Sequence, residues 1–236
     1  MTQISAQSAG RSPSAKSVPM GQKVNPKAHR IGVIQNWSSR WFSSGPEYAE
    51  LLRDDLRIRK FLRRELKEAG VASVDIERGG KAVTIFVHAA KPGVVIGRGG
   101  QGAEELKKKL QRQFFPKKKG IVLTVTIQEV SRPALAAELV LQGIAADLEN
   151  RIPFRRVMKQ ALSRIEKSGA LGARVAVSGR LDGAEIARRE HLAWGKLPLQ
   201  SLRADIDYSR GAARTIYGAI GIKVWVYRGE VFEKEK

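Results

Sequence analysis

The stretch Gly97-Arg98-Gly99-Gly100 constrains this chain more than any other. It follows the apolar run Val94-Val95-Ile96 and opens a segment of helical periodicity carrying Lys107-Lys108-Lys109. Glycine permits positive φ and a close approach of backbone to ligand. At a helix N-terminus such a turn offers N–H groups to a phosphate, and Arg98 adds positive charge at its tip. Two kinds of site use this chemistry. A G-x-x-G loop clamps the backbone of single-stranded nucleic acid. A G-x-G-x-x-G loop holds a dinucleotide pyrophosphate, and Gly97, Gly99 and Gly102 meet that spacing as well. A third option is a tight helix–helix turn that needs glycine only for its φ.

The flanking pattern separates these options. Leu51, Ile58, Leu62 and Ala69 predict one apolar face of a helix from Pro46 to Ala69, stopped by Gly70. Strands are expected over Val71 to Ile76 and Ala82 to His88, with Gly79-Gly80 as the hairpin turn. In the second strand Val83, Ile85 and Val87 alternate with Thr84, Phe86 and His88. Val94 to Ile96 forms a short helix before the loop. The next helix, from about Gln101 to Phe114, turns Ala103, Leu106, Leu110 and Phe114 inward and ends at Pro116. Ile121, Leu123, Val125 and Ile127 alternate in a third strand. The order is α-β-β-α-α-β. A dinucleotide site needs a βαβ unit, an unbroken strand before the loop and an acid about 20 residues beyond it. Here Lys91-Pro92-Gly93 breaks the strand, and Lys117-Lys118-Lys119-Gly120-Ile121 stands where the acid belongs. No Gly-Lys-Ser/Thr follows, so the loop is not a P-loop either. The pattern fits a KH domain, in which the N–H groups of Gly97 to Gly100 face phosphates and the preceding apolar surface meets bases.

Glu129 to Pro133 reads as a boundary, with Pro133 opening a new helix. That helix buries Ala137, Val140, Leu141, Ile144 and Leu148, and a second, from about Pro153, buries Phe154, Val157, Met158, Ala161, Leu162 and Ile165. Beyond Gly169, strands are expected over Arg174 to Ser178, Ala184 to Arg188, Ala204 to Tyr208 and Ile222 to Tyr227. The fold class is therefore α+β: a KH unit, then a second α+β unit with two helices packed on a mainly antiparallel sheet.

Charge narrows the partner. The chain has 236 residues, 43 of them Lys or Arg against 23 Asp or Glu, a net charge of +20. Such an excess repels itself unless an anion neutralises it; nucleic acid is the first choice and an anionic membrane the second. No apolar run approaches the roughly 18 residues of a membrane-spanning helix. Hydrophobic residues at 42% exclude compositional disorder, and the absence of Cys excludes disulfides, thiolate metal sites and thiol nucleophiles. Two basic clusters stand out. Lys107, Lys108, Lys109 and Arg112 cover the outer side of the loop helix, diluted by Glu104 and Glu105. Arg151, Arg155, Arg156, Lys159 and Arg164 occur with no acid between them. Arg155 and Lys159 are i,i+4, and Arg156 and Lys159 are i,i+3, so they stack opposite the apolar stripe and an external anion is the natural counter-charge. Arg180, Arg188, Arg189, Arg203, Arg210 and Arg214 follow, suited to bidentate phosphate contact, with Asp182, Glu185, Asp205 and Asp207 near enough in sequence to pair with some.

Catalytic signals are weak. His29, His88 and His191 match no metal spacing. Asp205 and Asp207 would share one face of a strand and would hold Mg²⁺ in a nuclease, although Arg203 and Arg210 beside them favour salt bridges. Trp37, Trp41, Trp194 and Trp225 read as core or interface anchors in a chain with few aromatics. The first 19 residues, Ser-rich and free of acids, read as a flexible tail. A transit peptide using Arg11 and Lys16, or a start at Met20, are the alternatives.

Several longer motifs now combine. They are Met20-Gly21-Gln22-Lys23-Val24-Asn25-Pro26, Pro92 to Gly100, Ser178-Gly179-Arg180-Leu181-Asp182-Gly183-Ala184-Glu185-Ile186-Ala187-Arg188, Leu202 to Tyr208, and Tyr217 to Trp225. With them, Met20 to about Phe232 resembles the bacterial-type small-ribosomal-subunit protein three family; only the N-terminal extension departs from it. The resemblance implies a prokaryotic-type KH domain and the family's own C-terminal domain. The expected layout is a tail over 1–19, an arm over 20–45, the KH domain over 46–129, the C-terminal domain over 130–232 and a charged end over 233–236. It implies a place in the head of the small subunit, against 16S-type rRNA and neighbouring ribosomal proteins, lining the mRNA entrance channel. The implied location is the cytoplasm, with an organellar ribosome left open. Phe154-Arg155-Arg156-Val157-Met158-Lys159 matches the family segment that helps unwind mRNA, so Arg155, Arg156 and Lys159 are the expected mRNA contacts. Many relatives carry another basic residue where this chain has Gln160. Gly97, Arg98, Gly99, Gly100, Lys107, Lys108 and Arg112 are the expected RNA contacts of the KH unit. No cofactor, metal, membrane or small-molecule substrate is expected, and no catalysis. The alternatives are a KH-bearing regulatory or assembly factor, and the nuclease using Asp205 and Asp207.

Overall fold

A computed structural model describes residues 23–80, 82–115 and 122–232. The tail over residues 1–19, most of the Met20-to-Pro26 motif's opening, Lys117 to Lys119, Ile121 and the end over 233–236 lie outside the described residues. Two four-stranded sheets, two main hydrophobic cores and a smaller apolar cluster of Ala204, Ile206 and Tyr227 organise the rest.

A short helix α1 (Pro26–Arg30) and a two-residue strand β1 (Ser39–Arg40) precede helix α2 (Pro46–Glu65). The expected extension of α2 to Ala69 is not made: the helix ends at Glu65, and the chain turns through Gly70 at φ +65°. Strands β2 (Val71–Gly79) and β3 (Ala82–Ala89) form the expected hairpin, Gly79 opposite Ala82. Helix α3 (Pro92–Ile96), a 3-10 turn over Arg98–Gly100, helix α4 (Gln101–Phe114) and strand β4 (Val122–Glu129) complete the unit. β4 pairs parallel to β3. A parallel pair cannot close through a tight turn, so the chain must cross over, and α3 and α4 are that crossover. Ile58 and Leu62 of α2 and Leu106 and Leu110 of α4 share one core with Ile76, Val83, Ile85 and Val87. The order is the predicted α-β-β-α-α-β; β1, which adds to β2 in parallel, is too short to have shown as periodicity.

One member of the buried face of α2 is Asp55. Its carboxylate accepts from Ser39 Oγ at 3.0 Å, Trp41 Nε1 at 2.8 Å, Arg78 Nε at 2.9 Å and Arg78 Nη2 at 2.5 Å. Arg59 donates to the Ser38 and Val74 carbonyls and to Ser39 Oγ. These charge-assisted bonds hold β1 on the sheet edge, which two residues of ladder could not do alone.

In the second unit Pro133 opens a single 3-10 turn, and helix α5 (Ala137–Glu149) starts after it. Helix α6 (Phe154–Lys167) buries Phe154, Val157, Met158, Ala161 and Ile165 as expected, with Leu162 at the margin. Strands β5 (Gly172–Gly179), β6 (Arg188–Gly195), β7 (Ala204–Thr215) and β8 (Gly218–Glu230) form an antiparallel sheet in the order β6-β5-β8-β7. The strand expected over Ala184 to Arg188 is a correction. Ala184 to Ala187 is a loop that follows a 3-10 turn over Leu181–Gly183, with Asp182 at φ +52°, and the strand begins where the expected one ends. Alternation in β6 is masked by Arg189, Glu190 and His191; only Leu192 and Trp194 pack inward.

Neither α5 nor α6 has a local side-chain cap. Each takes a carboxylate from a distant segment instead. Asp207 of β7 accepts from the Ala137 N–H at 2.7 Å, and Asp182 accepts from the Phe154 N–H at 3.4 Å. A carboxylate here satisfies an orphan donor and complements the positive end of the helix dipole. Arg30 performs the matching task for the N-terminal arm. Its buried guanidinium donates to the carbonyls of Ala204 (2.6 Å), Ser201 (2.8 Å), Leu199 (3.0 Å) and Pro26 (3.0 Å). Burial lowers its pKa from the ordinary arginine value, and nearby Asp205 opposes that shift. α5 also meets the KH unit: Gln142 Nε2 donates to the Val71 carbonyl at 3.0 Å.

Candidate nucleic-acid interface

The glycine loop is built by close packing on one side and open space on the other. Gly97, Gly99 and Gly100 all have positive φ, at +69°, +61° and +82°. A Cβ on Gly99 or Gly100 would meet nothing within 4 Å, so this backbone edge is unobstructed. Gly102, which made the dinucleotide spacing possible, has another role. A Cβ there would lie 2.7 Å from the Val95 carbonyl oxygen and 3.0 Å from that of Ile96, so it sets the close approach of α3 and α4. Val95 is buried, while Val94 and Ile96 are 56% and 40% exposed and border the loop. Arg98, Lys107, Lys108 and Arg112 are exposed and form no ion pair among the described residues. Lys109 differs: it pairs with Glu65 at 2.5 Å, which raises its pKa and lowers that of Glu65. The structure thus brings together an apolar rim, free backbone and a cationic helix, a surface that accommodates bases and phosphates of a single strand.

The second cluster lies on α6. Arg155, Arg156 and Lys159 are exposed, opposite the buried stripe, and form no ion pair among the described residues. Arg155 stacks 5.8 Å from the centre of the Phe154 ring, and Arg188 does so at 5.7 Å. Asp182 at the helix N-terminus is engaged by the Phe154 N–H and forms no salt bridge with the cluster. The two expected RNA surfaces belong to separate cores, one in each unit.

The acidic pair expected on β7 is otherwise occupied. A register irregularity falls between Asp205 and Ile206. Asp207 pairs with Lys27 Nζ at 2.7 Å and Arg228 Nη2 at 3.2 Å, and Asp205 lies 3.7 Å from Arg228 Nη1. Burial pushes the Asp207 pKa up, but Lys27, the Ala137 N–H and Arg228 outweigh it and hold the carboxyl below its ordinary value. The salt bridges are real, but with Lys27 and Arg228 rather than Arg203, which pairs with Glu230, or Arg210. Among the described residues no group of His, Asp and Glu is arranged to hold a metal, and no helix is long and apolar enough to cross a membrane. Sequence reasoning missed Arg30 and Asp55, whose partners are far away in the chain. Of the tryptophans expected as core or interface anchors, Trp41 and Trp194 anchor, to Asp55 and to the second core, while Trp37 is 66% exposed and belongs to no core.

A KH fold with an open glycine loop, joined to an α+β unit bearing an unopposed basic helix, defines an RNA-binding protein without catalytic machinery in its acidic pair. Comparison with known proteins agrees. The KH domain family matches residues 57–135, and the family described as Ribosomal protein S3, C-terminal domain, matches residues 144–226. The small ribosomal subunit protein uS3 of Pelotomaculum thermopropionicum is 51% identical over 217 residues, covering 92% of each chain. That of Desulfitobacterium hafniense is 49% identical over 217 residues, covering 92% of this chain and 96% of its own. The uS3 of Clostridium botulinum is similar at 49% over the same length. The chain belongs to the uS3 family of small-ribosomal-subunit proteins. It is an RNA-binding structural constituent of the small subunit and not an enzyme.

Proposed function

We propose that this protein binds 16S-type rRNA in the head of the small subunit through its KH unit and lines the mRNA entrance channel with α6. In this reading the KH unit spans residues 46–129 and the channel-lining unit 130–232. The backbone of Gly97 to Gly100, with Arg98, Lys107, Lys108 and Arg112, positions rRNA phosphates with little base readout. Arg155, Arg156 and Lys159 hold incoming mRNA strands apart electrostatically. Neighbouring ribosomal proteins cover part of the remaining surface, for which exposed Trp37 and Phe42 are suited. As a ribosomal component the protein would work in the cytoplasm.

The observation that carries the mRNA role is the division of α6 into an apolar stripe and an exposed face whose N-terminal half, Arg155, Arg156 and Lys159, is cationic, the helix's one acid, Glu166, standing near its other end. A helix needing only solubility would mix the two signs, since like charges at i,i+4 weaken it. The test is in vitro translation with ribosomes carrying Arg155→Glu, Arg156→Glu and Lys159→Glu together. Elongation through a message hairpin should slow several-fold while an unstructured message translates near the normal rate. Equal slowing on both messages would remove the unwinding role.

A further inference from the structure

The second sheet has α5 and α6 on one face only. On the other, Arg210 of β7 stands directly opposite Lys223 of β8. Like charges in direct cross-strand register weaken a sheet. Arg174 of β5 lies opposite Trp225 in the next row, its guanidinium 5.7 Å from the indole centre, and Arg189 of β6 extends the patch. No carboxylate occurs in the rows that join Arg189, Arg174, Lys223 and Arg210 across the four strands, and none of these four forms an ion pair among the described residues. Arg174 Nε is buried and has no hydrogen-bond partner, alone in this respect among the described side chains. A buried donor left unmade is costly, and a fold seldom tolerates it without a reason. These residues line a cleft of about 560 Å³ between the sheet and the N-terminal arm, where Lys23 adds to the same sign.

The arrangement fits a strand of phosphates better than a single anion. Neighbouring strands lie about 4.8 Å apart, so β6 to β7 spans about 14 Å across three gaps. The four cations are spread over the four strands and three successive rows, so one small anion cannot reach them all, whereas successive phosphates of a polyanion can. Planar guanidinium groups are matched to phosphate oxygens. We propose that this face is a further RNA-backbone site, where Arg174, Arg189, Arg210 and Lys223 hold consecutive phosphates of one strand on the side of the sheet away from α6. The identity of the polyanion as RNA rests on the ribosomal reading above. The site would let the second unit grip one RNA strand on each face.

The test uses the full chain with Arg210→Gln and Lys223→Gln together. Binding of a labelled transcript of the small-subunit rRNA head, and of a labelled short oligouridylate, is titrated over a range of salt concentrations. Each phosphate contact on a single strand contributes about 0.7 to the slope of log K against log salt, so losing two should reduce the slope by about 1.4. Affinity should fall roughly 10-fold at physiological salt, while thermal stability is unchanged or higher because the like-charge pair is gone. Loss on the transcript assigns the strand to rRNA; loss on oligouridylate alone assigns it to the message. Unchanged slope and affinity on both, with the variant folded, overturn the site. The α6 variants are read by hairpin translation, so failure of that role leaves this outcome independent.

Discussion

Gly102 and Gly143 both sit in helices, in α4 and α5, and the structure predicts opposite outcomes for the same substitution. Glycine in a helix interior is worth about 1 kcal/mol less than alanine. At Gly143 a Cβ would meet nothing within 4 Å, so Gly143→Ala should stabilise by up to about that 1 kcal/mol. At Gly102 the new Cβ would lie 2.7 Å from Val95 O, 3.0 Å from Ile96 O and 3.2 Å from Ile96 C. These are backbone atoms of α3, so no rotamer change relieves the contact. Overpacking of this kind costs about 1–3 kcal/mol, against a propensity gain of at most about 1 in the first turn. Gly102→Ala should therefore destabilise by about 1–2 kcal/mol, leaving the two variants roughly 2–3 kcal/mol apart. Urea unfolding followed by far-UV circular dichroism measures the difference, and a domain of this size shifts by about 4–8 °C per kcal/mol in a melt. Because the displaced α3 carries the loop, Gly102→Ala should also weaken RNA binding while Gly143→Ala should not. A Gly102→Ala protein as stable as wild type would refute the account of the loop as set by helix–helix approach.

Two further outcomes test the internal carboxylates. Asp55→Ala removes four hydrogen bonds and leaves the nearly buried Arg78 without its partner, which should cost about 3–5 kcal/mol in urea unfolding; a loss below about 1 kcal/mol would show that Asp55 does not secure the sheet edge. Asp207 has a folded pKa below its unfolded value, so its contribution is complete above about pH 4 and is lost as pH falls through the folded pKa. The stability gap between wild type and Asp207→Asn should accordingly be constant above about pH 5 and shrink below about pH 4, and a gap undiminished at about pH 3 would contradict the ion-paired state.

What was legible in the sequence was whatever repeats over short range. The α-β-β-α-α-β order followed from two alternating runs, a glycine pair and a glycine loop. The basic face of α6 followed from its 3.6-residue period, because one periodicity sorts both its buried and its cationic side chains. Ala184 to Arg188 was misread because two apolar side chains in a loop imitate alternation, while the true strand hides its inward Leu192 and Trp194 among charged neighbours. Pro133 did start a helical turn, but a 3-10 one. Arg30, Asp55 and the capping role of Asp207 were not legible, since each joins segments far apart in the chain and has no spacing to recognise.

Those unread contacts explain how the chain sustains a net charge of +20. Several of its acids stand at structural joints rather than on the RNA faces. Asp55 neutralises Arg78, Asp207 neutralises Lys27 and Arg228, Glu65 holds Lys109, and Asp182 serves the N-terminus of α6. Taking a carboxylate out of water is costly, and at Asp55 and Asp207 paired cations and N–H or O–H donors offset that cost, so that removing either carboxylate would strand buried partners. Exposed cations repel one another only weakly across a Debye length of about 8 Å at physiological salt. Concentrating acids at the joints thus keeps the fold intact while Arg155, Arg156 and Lys159, and the four cations of the open sheet face, stay uncompensated. The same cations that cost little in water gain a partner when a phosphate chain displaces its counterions. Moving one acid from a joint in among Arg155, Arg156 and Lys159 should therefore damage stability and RNA contact together; the acid that α6 does carry, Glu166, stands roughly two turns beyond Lys159.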